Sequence, residues 1–260
     1  MTRTAICFYG LIGSQTNKAG VGKPLDVSLA GNYNIKNIIE NNNADVFIHS
    51  WSANSKEEIV NFYNPTSALI EPQANITFPT KYILNRPIYE KLSLLKRPKL
   101  AHAHLNEWRQ EAYRACSRWL STQKVVNEMR YYEKTNNFEY DAVLLTRLDV
   151  GFFTDFNFVN YDLSRLWVSN WNSAPKANTN NVFDYTNRNR EFGFLDLWFL
   201  SNSANIRRFA NIYDNLFKLS VSPHRSSYEY AKLLKLDISY CKYRWQDYEM
   251  VRRVFFEHEE

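Results

Sequence analysis

Short apolar runs alternate with stretches of helical periodicity along the first half of this chain. The pattern predicts a strand at residues 4–11, a Gly-containing connection at 10–24, a helix at 28–42 and a buried strand at 44–51. A strand, a helix and a strand in this order are typical of an α/β protein with a parallel sheet.

A long helix is predicted over residues 105–134, where apolar side chains recur at helical spacing. The continuous apolar run 143–145 that follows predicts a strand buried on both faces, and such strands are usually central and parallel. The remaining pattern predicts strands at 166–169 and 192–201, and helices at 203–217, 227–236 and 246–258.

We find no repeat and no domain-scale linker, so a single α/β domain over residues 1–260 is expected. Prolines interrupt residues 52–103, and asparagines are frequent in residues 170–190. Both segments are predicted to be irregular insertions or loops.

Composition narrows the class of protein. With 260 residues, 45% of them hydrophobic, the chain can bury a sizeable core. Its 32 basic and 27 acidic residues give a formal charge of +5, which suits an anionic ligand or peripheral association with a membrane surface. The basic residues are scattered, which argues against nucleic acid. No apolar run is long enough for a membrane span.

Cysteine usage and the first residues predict a cytoplasmic protein. The three cysteines, Cys7, Cys116 and Cys241, are far apart and odd in number, which fits a reducing compartment rather than a disulfide framework. The segment at residues 1–8 enters a strand pattern at once and lacks a signal-peptide profile.

The most informative segment is the end of the strand at residues 140–149, where Arg147 and Asp149 project on the same side. The carboxyl ends of central parallel strands open onto the ligand crevice. There the arginine suits phosphate oxygens and the aspartate a hard metal ion. The alternatives are a surface ion pair and an aspartate that caps a turn.

Several segments in order resemble a group of microbial and viral glycosyltransferases of the GT-A fold. They are Ala5–Gly10, Asp45–Trp51, the long helix, Tyr140–Asp149, and Asp196–Ser201 followed by Tyr228 and Glu229. The resemblance implies a Rossmann-like, mostly parallel mixed central sheet flanked by helices. It also implies a hexosyl or deoxyhexosyl transferase, which moves a sugar from a nucleotide diphosphate sugar to a glycan acceptor.

The resemblance also implies a divalent metal, Mn²⁺ or Mg²⁺, held at the last residue of an Asp-x-Asp motif. Asp149 takes that last position, whereas Arg147 stands where the pattern has the first Asp. Arg147 paired with the diphosphate in place of a metal is the alternative. His224 is a candidate to complete the metal shell, with an ordinary loop position as its alternative.

The ends of the first two strands are where the resemblance places the nucleotide. Phe8, Tyr9 and Gly10 are candidates for the base site, and core aromatics are the alternative. His49 is a candidate donor to a phosphate or ribose, beside Trp51. A buried histidine with satisfied hydrogen bonds is its alternative.

The expected chemistry also needs an acidic group near the acceptor. Asp196 is the candidate general base of an inverting enzyme, whereas in a retaining enzyme it would orient the acceptor or the donor sugar. Glu229 is a second candidate base. Their alternatives are a strand cap and an ordinary acid in the first turn of a helix. Arg190 is a candidate clamp on the diphosphate, with a solvated loop as the alternative.

Two other functions compete with sugar transfer. A carbohydrate-binding protein without catalysis on the same scaffold is the alternative reading, because the first Asp of the metal motif is missing. A nucleic-acid-binding module that uses aromatic and basic residues ranks last.

Overall fold

The computed structural model describes residues 2–12, 26–86, 91–92, 101–170 and 193–251. In these residues the strands are β1 Thr4–Gly10, β2 Asp45–Ser50, β3 Ser67–Ile70, β4 Ala142–Arg147, β5 Val150–Phe152, β6 Leu166–Asn170, β7 Leu195–Ser201, β8 Ile238–Tyr243 and β9 Tyr248–Met250. The helices are α1 Val27–Asn34, α2 Lys56–Tyr63, α3 Thr80–Ile83, α4 Ala101–Asn136, α5 Ser203–Ala210, α6 Ile212–Asn215 and α7 Pro223–Leu233. A π-helix, Ile35–Glu40, continues α1, and 3₁₀ turns lie at Ala53–Ser55, Phe158–Asn160 and Leu216–Lys218.

Within the described residues, seven strands form a mixed sheet in the order β3-β2-β1-β4-β7-β6-β8. Neighbouring strands are parallel except at β7, which runs antiparallel to both β4 and β6. Residues Thr4–Tyr9 of β1 are all buried, as a central strand covered on both faces requires. The predicted α/β class with a mostly parallel central sheet is confirmed.

Helices cover both faces of this sheet. The core on one face contains Trp119 and Met129 of α4. The core on the other contains Val27 of α1 and Ile59 of α2. Strands β2 and β3 extend the sheet on one side of β1, and the chain then returns through α4 to β4 on the other side. This reversal makes the carboxyl ends of β1 and β4 a topological switch point, where crevices form in open α/β sheets.

Three sequence predictions need correction. Residues 248–250 form strand β9 instead of part of a helix at 246–258, of which 252–258 lie outside the described residues. The spacing of Tyr248 and Val251 imitates a helix, but all three residues of β9 are buried in a ladder with β5. Residues 52–103 contribute α2, α3 and strand β3 of the main sheet.

The third correction concerns edge strand β8, which the apolar pattern did not predict. Most of its side chains are only half-buried, so it lacks a continuous apolar run. Among the described helices, none combines the length and apolar character that crossing a bilayer requires.

Candidate active site

A cavity of about 600 Å³ opens beside the carboxyl end of β4 and the start of β7. Five arginines line it but only two acids, together with His224 and a few apolar side chains. The charged lining consists of Arg86, Arg114, Arg118, Arg147, Arg244, Glu111 and Asp196. This excess of guanidinium groups suits an anionic ligand with several oxygens.

Arg147 and Asp149 lie at the end of β4 and pair with each other, and an ion pair is what the sequence analysis gave as the alternative to phosphate and metal binding. Arg147 Nε donates to Asp149 Oδ1 at 2.7 Å, and Arg147 Nη2 donates to Asp149 Oδ2 at 2.6 Å. The Asp149 side chain is 2% exposed and the Arg147 side chain 25% exposed. Burial alone would lower the pKa of Arg147, but the Asp149 carboxylate outweighs it and raises that pKa.

A second pair of the same geometry comes from residues that the sequence analysis did not single out. Arg244 Nε and Nη2 donate to the two Glu249 oxygens at 2.6 and 2.8 Å. Glu249 is fully buried in β9, and its Oε1 also accepts from Met250 N at 2.6 Å. Arg244 faces the same cavity as Arg147.

Asp196, the second residue of β7, is buried between two basic groups. One carboxylate oxygen bonds to Arg118 of α4, and the other lies 2.8 Å from His224 Nδ1. Arg118 also donates to the Tyr9 hydroxyl at 2.6 Å. Because both oxygens have partners, Asp196 is placed to orient His224 as well as to face the cavity.

His224 is positioned by its backbone as well as by its ring. Its carbonyl accepts from Phe194 N at 2.9 Å and from Ser227 Oγ at 2.7 Å. Its Nδ1 also lies 2.8 Å from the Phe194 carbonyl oxygen. Burial and the positive charges of Arg118 and Arg147 lower the pKa of His224, whereas its hydrogen bond to the Phe194 carbonyl acts in the opposite direction.

A glycine is required where the chain leading into β7 passes close to the backbone of α7. Gly193 has φ +87°, and a Cβ at this position would overlap the His224 carbonyl group. The sequence therefore places glycine where the chain, two residues before β7, must pass against the first turn of α7, which carries His224 to the cavity.

Of the residues predicted to bind the nucleotide, Phe8 and Tyr9 have buried rings. Phe8 packs on Tyr63 with ring centroids 5.0 Å apart, and the Tyr9 ring belongs to the core on the α4 side. Neither ring is open to stack on a base. Gly10 is the last residue of β1 and has φ +97°, and its backbone N–H donates to Ser121 Oγ at 2.9 Å.

His49 and Trp51 are also buried. His49 Nδ1 lies 2.7 Å from Ser121 Oγ and its Nε2 3.3 Å from Glu71 Oε1. Burial lowers the pKa of His49 to about 4. Trp51 Nε1 donates to the Ser117 carbonyl at 3.4 Å. These contacts match the alternative of a satisfied buried histidine.

Glu229 lies on α7 but outside this cavity. It accepts from Ser220 N at 2.8 Å and from Arg225 Nε at 3.1 Å, and it lines a neighbouring cavity of about 460 Å³. Arg86 lines both cavities. Arg190 lies outside the described residues.

The residues predicted to bind a divalent metal do not form a metal shell. Both oxygens of Asp149 are engaged by Arg147, and His224 contacts Asp196 instead. In the parts of the chain that the structure describes, no three His, Cys, Asp or Glu side chains are grouped to hold a metal. The donor set therefore does not fit Mn²⁺ or Mg²⁺ at Asp149.

No protein-family model and no curated protein matches this chain. Its fold is similar to solved structures, among them a crystal structure from Desulfovibrio desulfuricans G20 named "putative nucleotide-diphospho-sugar transferase". That comparison has a TM-score of 0.42 at 10% sequence identity, and it covers 93% of this chain and 80% of the other. So distant a likeness transfers no function to this chain.

Proposed function

We propose that this protein is a glycosyltransferase that binds a nucleotide diphosphate sugar in the arginine-lined cavity and transfers the sugar to a glycan acceptor. The observation that carries the proposal is the set of five arginines around one cavity at the switch-point edge of the sheet. A diphosphate leaving group develops negative charge as the sugar leaves, and guanidinium groups fixed at that place stabilise this charge.

The cavity also contains a histidine that is neutral and can therefore accept a proton, because burial and the neighbouring arginines lower the pKa of His224 to about 4. In the arrangement observed, His224 Nδ1 is directed at Asp196 and the Phe194 carbonyl, which favours the tautomer protonated at Nδ1. The other ring nitrogen is then the basic one. We assign to His224 the removal of the acceptor hydroxyl proton and to Asp196 the orientation of the ring.

Arg114 gives the sharpest test of the anion site. It is exposed on α4, lines the cavity, and makes no ion pair within the described residues. Replacing it by alanine therefore leaves no buried carboxylate without a partner. Arg130 is a matched control, because it is exposed on the same helix and lines a different cavity.

The experiment is a panel of nucleotide sugars offered to the purified protein, with binding followed by calorimetry and hydrolysis followed by release of the nucleoside diphosphate. We expect at least one donor to bind and to be hydrolysed. Arg114→Ala should weaken its binding about tenfold, as loss of one charge-assisted hydrogen bond predicts. Arg130→Ala should leave it unchanged.

Other outcomes separate the candidate functions. Failure of every donor to bind would refute the proposal. Glycan binding that needs no nucleotide and leads to no turnover would identify a carbohydrate-binding protein instead. Equal losses in Arg114→Ala and Arg130→Ala would show that the cavity is not the binding site.

A further inference from the structure

Two arginines of the cavity are held in the same manner. Arg147 and Arg244 each use Nε and Nη2 to grip one carboxylate side-on, at distances between 2.6 and 2.8 Å. The two carboxylates, Asp149 and Glu249, are 2% and 0% exposed and do not line the cavity themselves. Each arginine therefore faces the cavity and is bound, on its side away from the cavity, by a buried carboxylate.

This side-on grip leaves the far edge of each guanidinium group available. The Nε–H and one N–H of Nη2 are used, so both N–H bonds of Nη1 remain as donors. Within the described residues, Nη1 of Arg147 and Nη1 of Arg244 have no hydrogen-bond partner. The side chains are 25% and 15% exposed, as they face the cavity.

The small two-stranded sheet of β5 and β9 brings the two carboxylates together. Val251 N donates to the Asp149 carbonyl at 3.0 Å, and Glu249 pairs with Gly151 in the ladder. The two acids thus lie at neighbouring positions of this ladder, Asp149 directly before β5 and Glu249 within β9.

We propose that Asp149 and Glu249 are positioning residues for Arg147 and Arg244, and that these two arginines bind the diphosphate without a divalent cation. The inference rests on the proposed function and deepens it. It differs from the metal site expected from the sequence, because the Asp149 oxygens serve an arginine and are not offered to an ion.

The first test uses the unmodified protein. Binding of inorganic pyrophosphate and of UDP and GDP is measured by calorimetry after EDTA treatment, and again with added Mg²⁺ or Mn²⁺. We expect binding in EDTA that neither metal strengthens. Binding that appears only with Mg²⁺ or Mn²⁺ would overturn the proposal, and so would pyrophosphate that fails to bind under both conditions.

The second test asks whether geometry matters beyond charge. Lysine keeps the positive charge but cannot grip a carboxylate side-on. Arg147→Lys and Arg244→Lys should each weaken pyrophosphate binding on the order of tenfold. Arg207→Lys is the control, because Arg207 is also 25% exposed and also pairs with a 2% exposed acid, Glu133, away from the cavity. Unchanged binding in both cavity variants would contradict the proposal.

The carboxylates provide the test that separates a positioning role from a metal role. Asp149→Asn and Glu249→Gln should weaken pyrophosphate binding by similar factors, with and without metal. A metal site at Asp149 predicts a different result, in which only Asp149→Asn loses binding and only the metal-dependent part is lost. If a variant does not fold, the metal titration of the unmodified protein still decides.

The outcomes also distinguish this inference from the proposed function. Sugar transfer that requires Mn²⁺ would overturn the arginine proposal and leave the glycosyltransferase intact. Metal-free binding of pyrophosphate with no turnover of any nucleotide sugar would refute the glycosyltransferase and leave the anion site intact.

Discussion

The junction between β7 and α7 allows a sharp prediction about glycine. Gly193→Ala places a methyl group where the His224 carbonyl lies, at a backbone φ of +87°. The left-handed conformation costs alanine about 1–2 kcal/mol. The overlap with backbone cannot be relieved by a side-chain rotation, so the strand and α7 must separate.

That separation breaks two hydrogen bonds, from Phe194 N to the His224 carbonyl at 2.9 Å and from His224 Nδ1 to the Phe194 carbonyl at 2.8 Å. At about 1 kcal/mol each, they bring the expected loss of unfolding free energy to about 3–4 kcal/mol. For a chain of this size this lowers Tm by about 6–16 °C.

Gly10→Ala is the matched control. Gly10 has φ +97°, but nothing lies within 4 Å of a Cβ at this position. We therefore expect only the conformational cost, about 1–2 kcal/mol, or about 2–8 °C in Tm. Urea and thermal unfolding measure both variants. Equal losses in Gly193→Ala and Gly10→Ala would refute the argument that close approach to α7 requires the glycine.

Three further predictions concern buried polar groups. Asp196→Asn should cost about 3–5 kcal/mol in urea unfolding, because it leaves the Arg118 guanidinium without its counterion, and Arg118→Met/Asp196→Leu should recover at least half of this loss. Burial lowers the pKa of His49 from 6.5 to about 4. Between these two pH values the unfolded chain takes up a proton that the folded protein does not bind, so the free energy of unfolding should be highest above about pH 6.5 and fall by about 3 kcal/mol toward pH 4. Unfolding of His49→Asn across this range should show a flatter curve, and an equally steep one would contradict the assignment. Asn34 bonds to the β5 backbone at 2.9 and 3.2 Å, so Asn34→Ala should cost about 2–4 kcal/mol, whereas the exposed Asn41→Ala should cost almost nothing in the same measurement.

The sequence pattern predicts strands well where both faces are buried. Strands β1, β2 and β4 have continuous apolar runs, and each was predicted within a few residues of its bounds. Strand β9 was missed because Glu249 reads as a solvent-facing acid. Glu249 can be buried because Arg244 pairs with both of its carboxylate oxygens. The pattern of apolar and polar residues does not show that a turn places this arginine beside the glutamate.

In the candidate site, too, some residues could be predicted from the sequence and others could not. Arg147 and Asp149 were found because they end a central strand, and strand ends meet the crevice. Arg118 was missed because an arginine on a long helix reads as its polar face, and its partner Asp196 is 78 residues away. Arg114 and Arg118 each come directly before an apolar position of α4, Ala115 and Trp119. Arginines that border the apolar face of the long helix are the signal that would have identified both residues.

The choice of arginine and buried acid explains how this cavity keeps its charge. Burial lowers the pKa of Arg118 to about 10, and the positive charge of Arg147 adds to the effect, yet the group stays protonated at neutral pH. A lysine starts from a lower pKa, so a similar shift would bring it close to neutral pH. For Arg147, the Asp149 carboxylate reverses the effect of burial and raises the pKa. The Asp149 carboxylate therefore fixes both the direction and the charge of Arg147, whereas Glu249 fixes the direction of Arg244. In the proposed site neither role needs a metal ion.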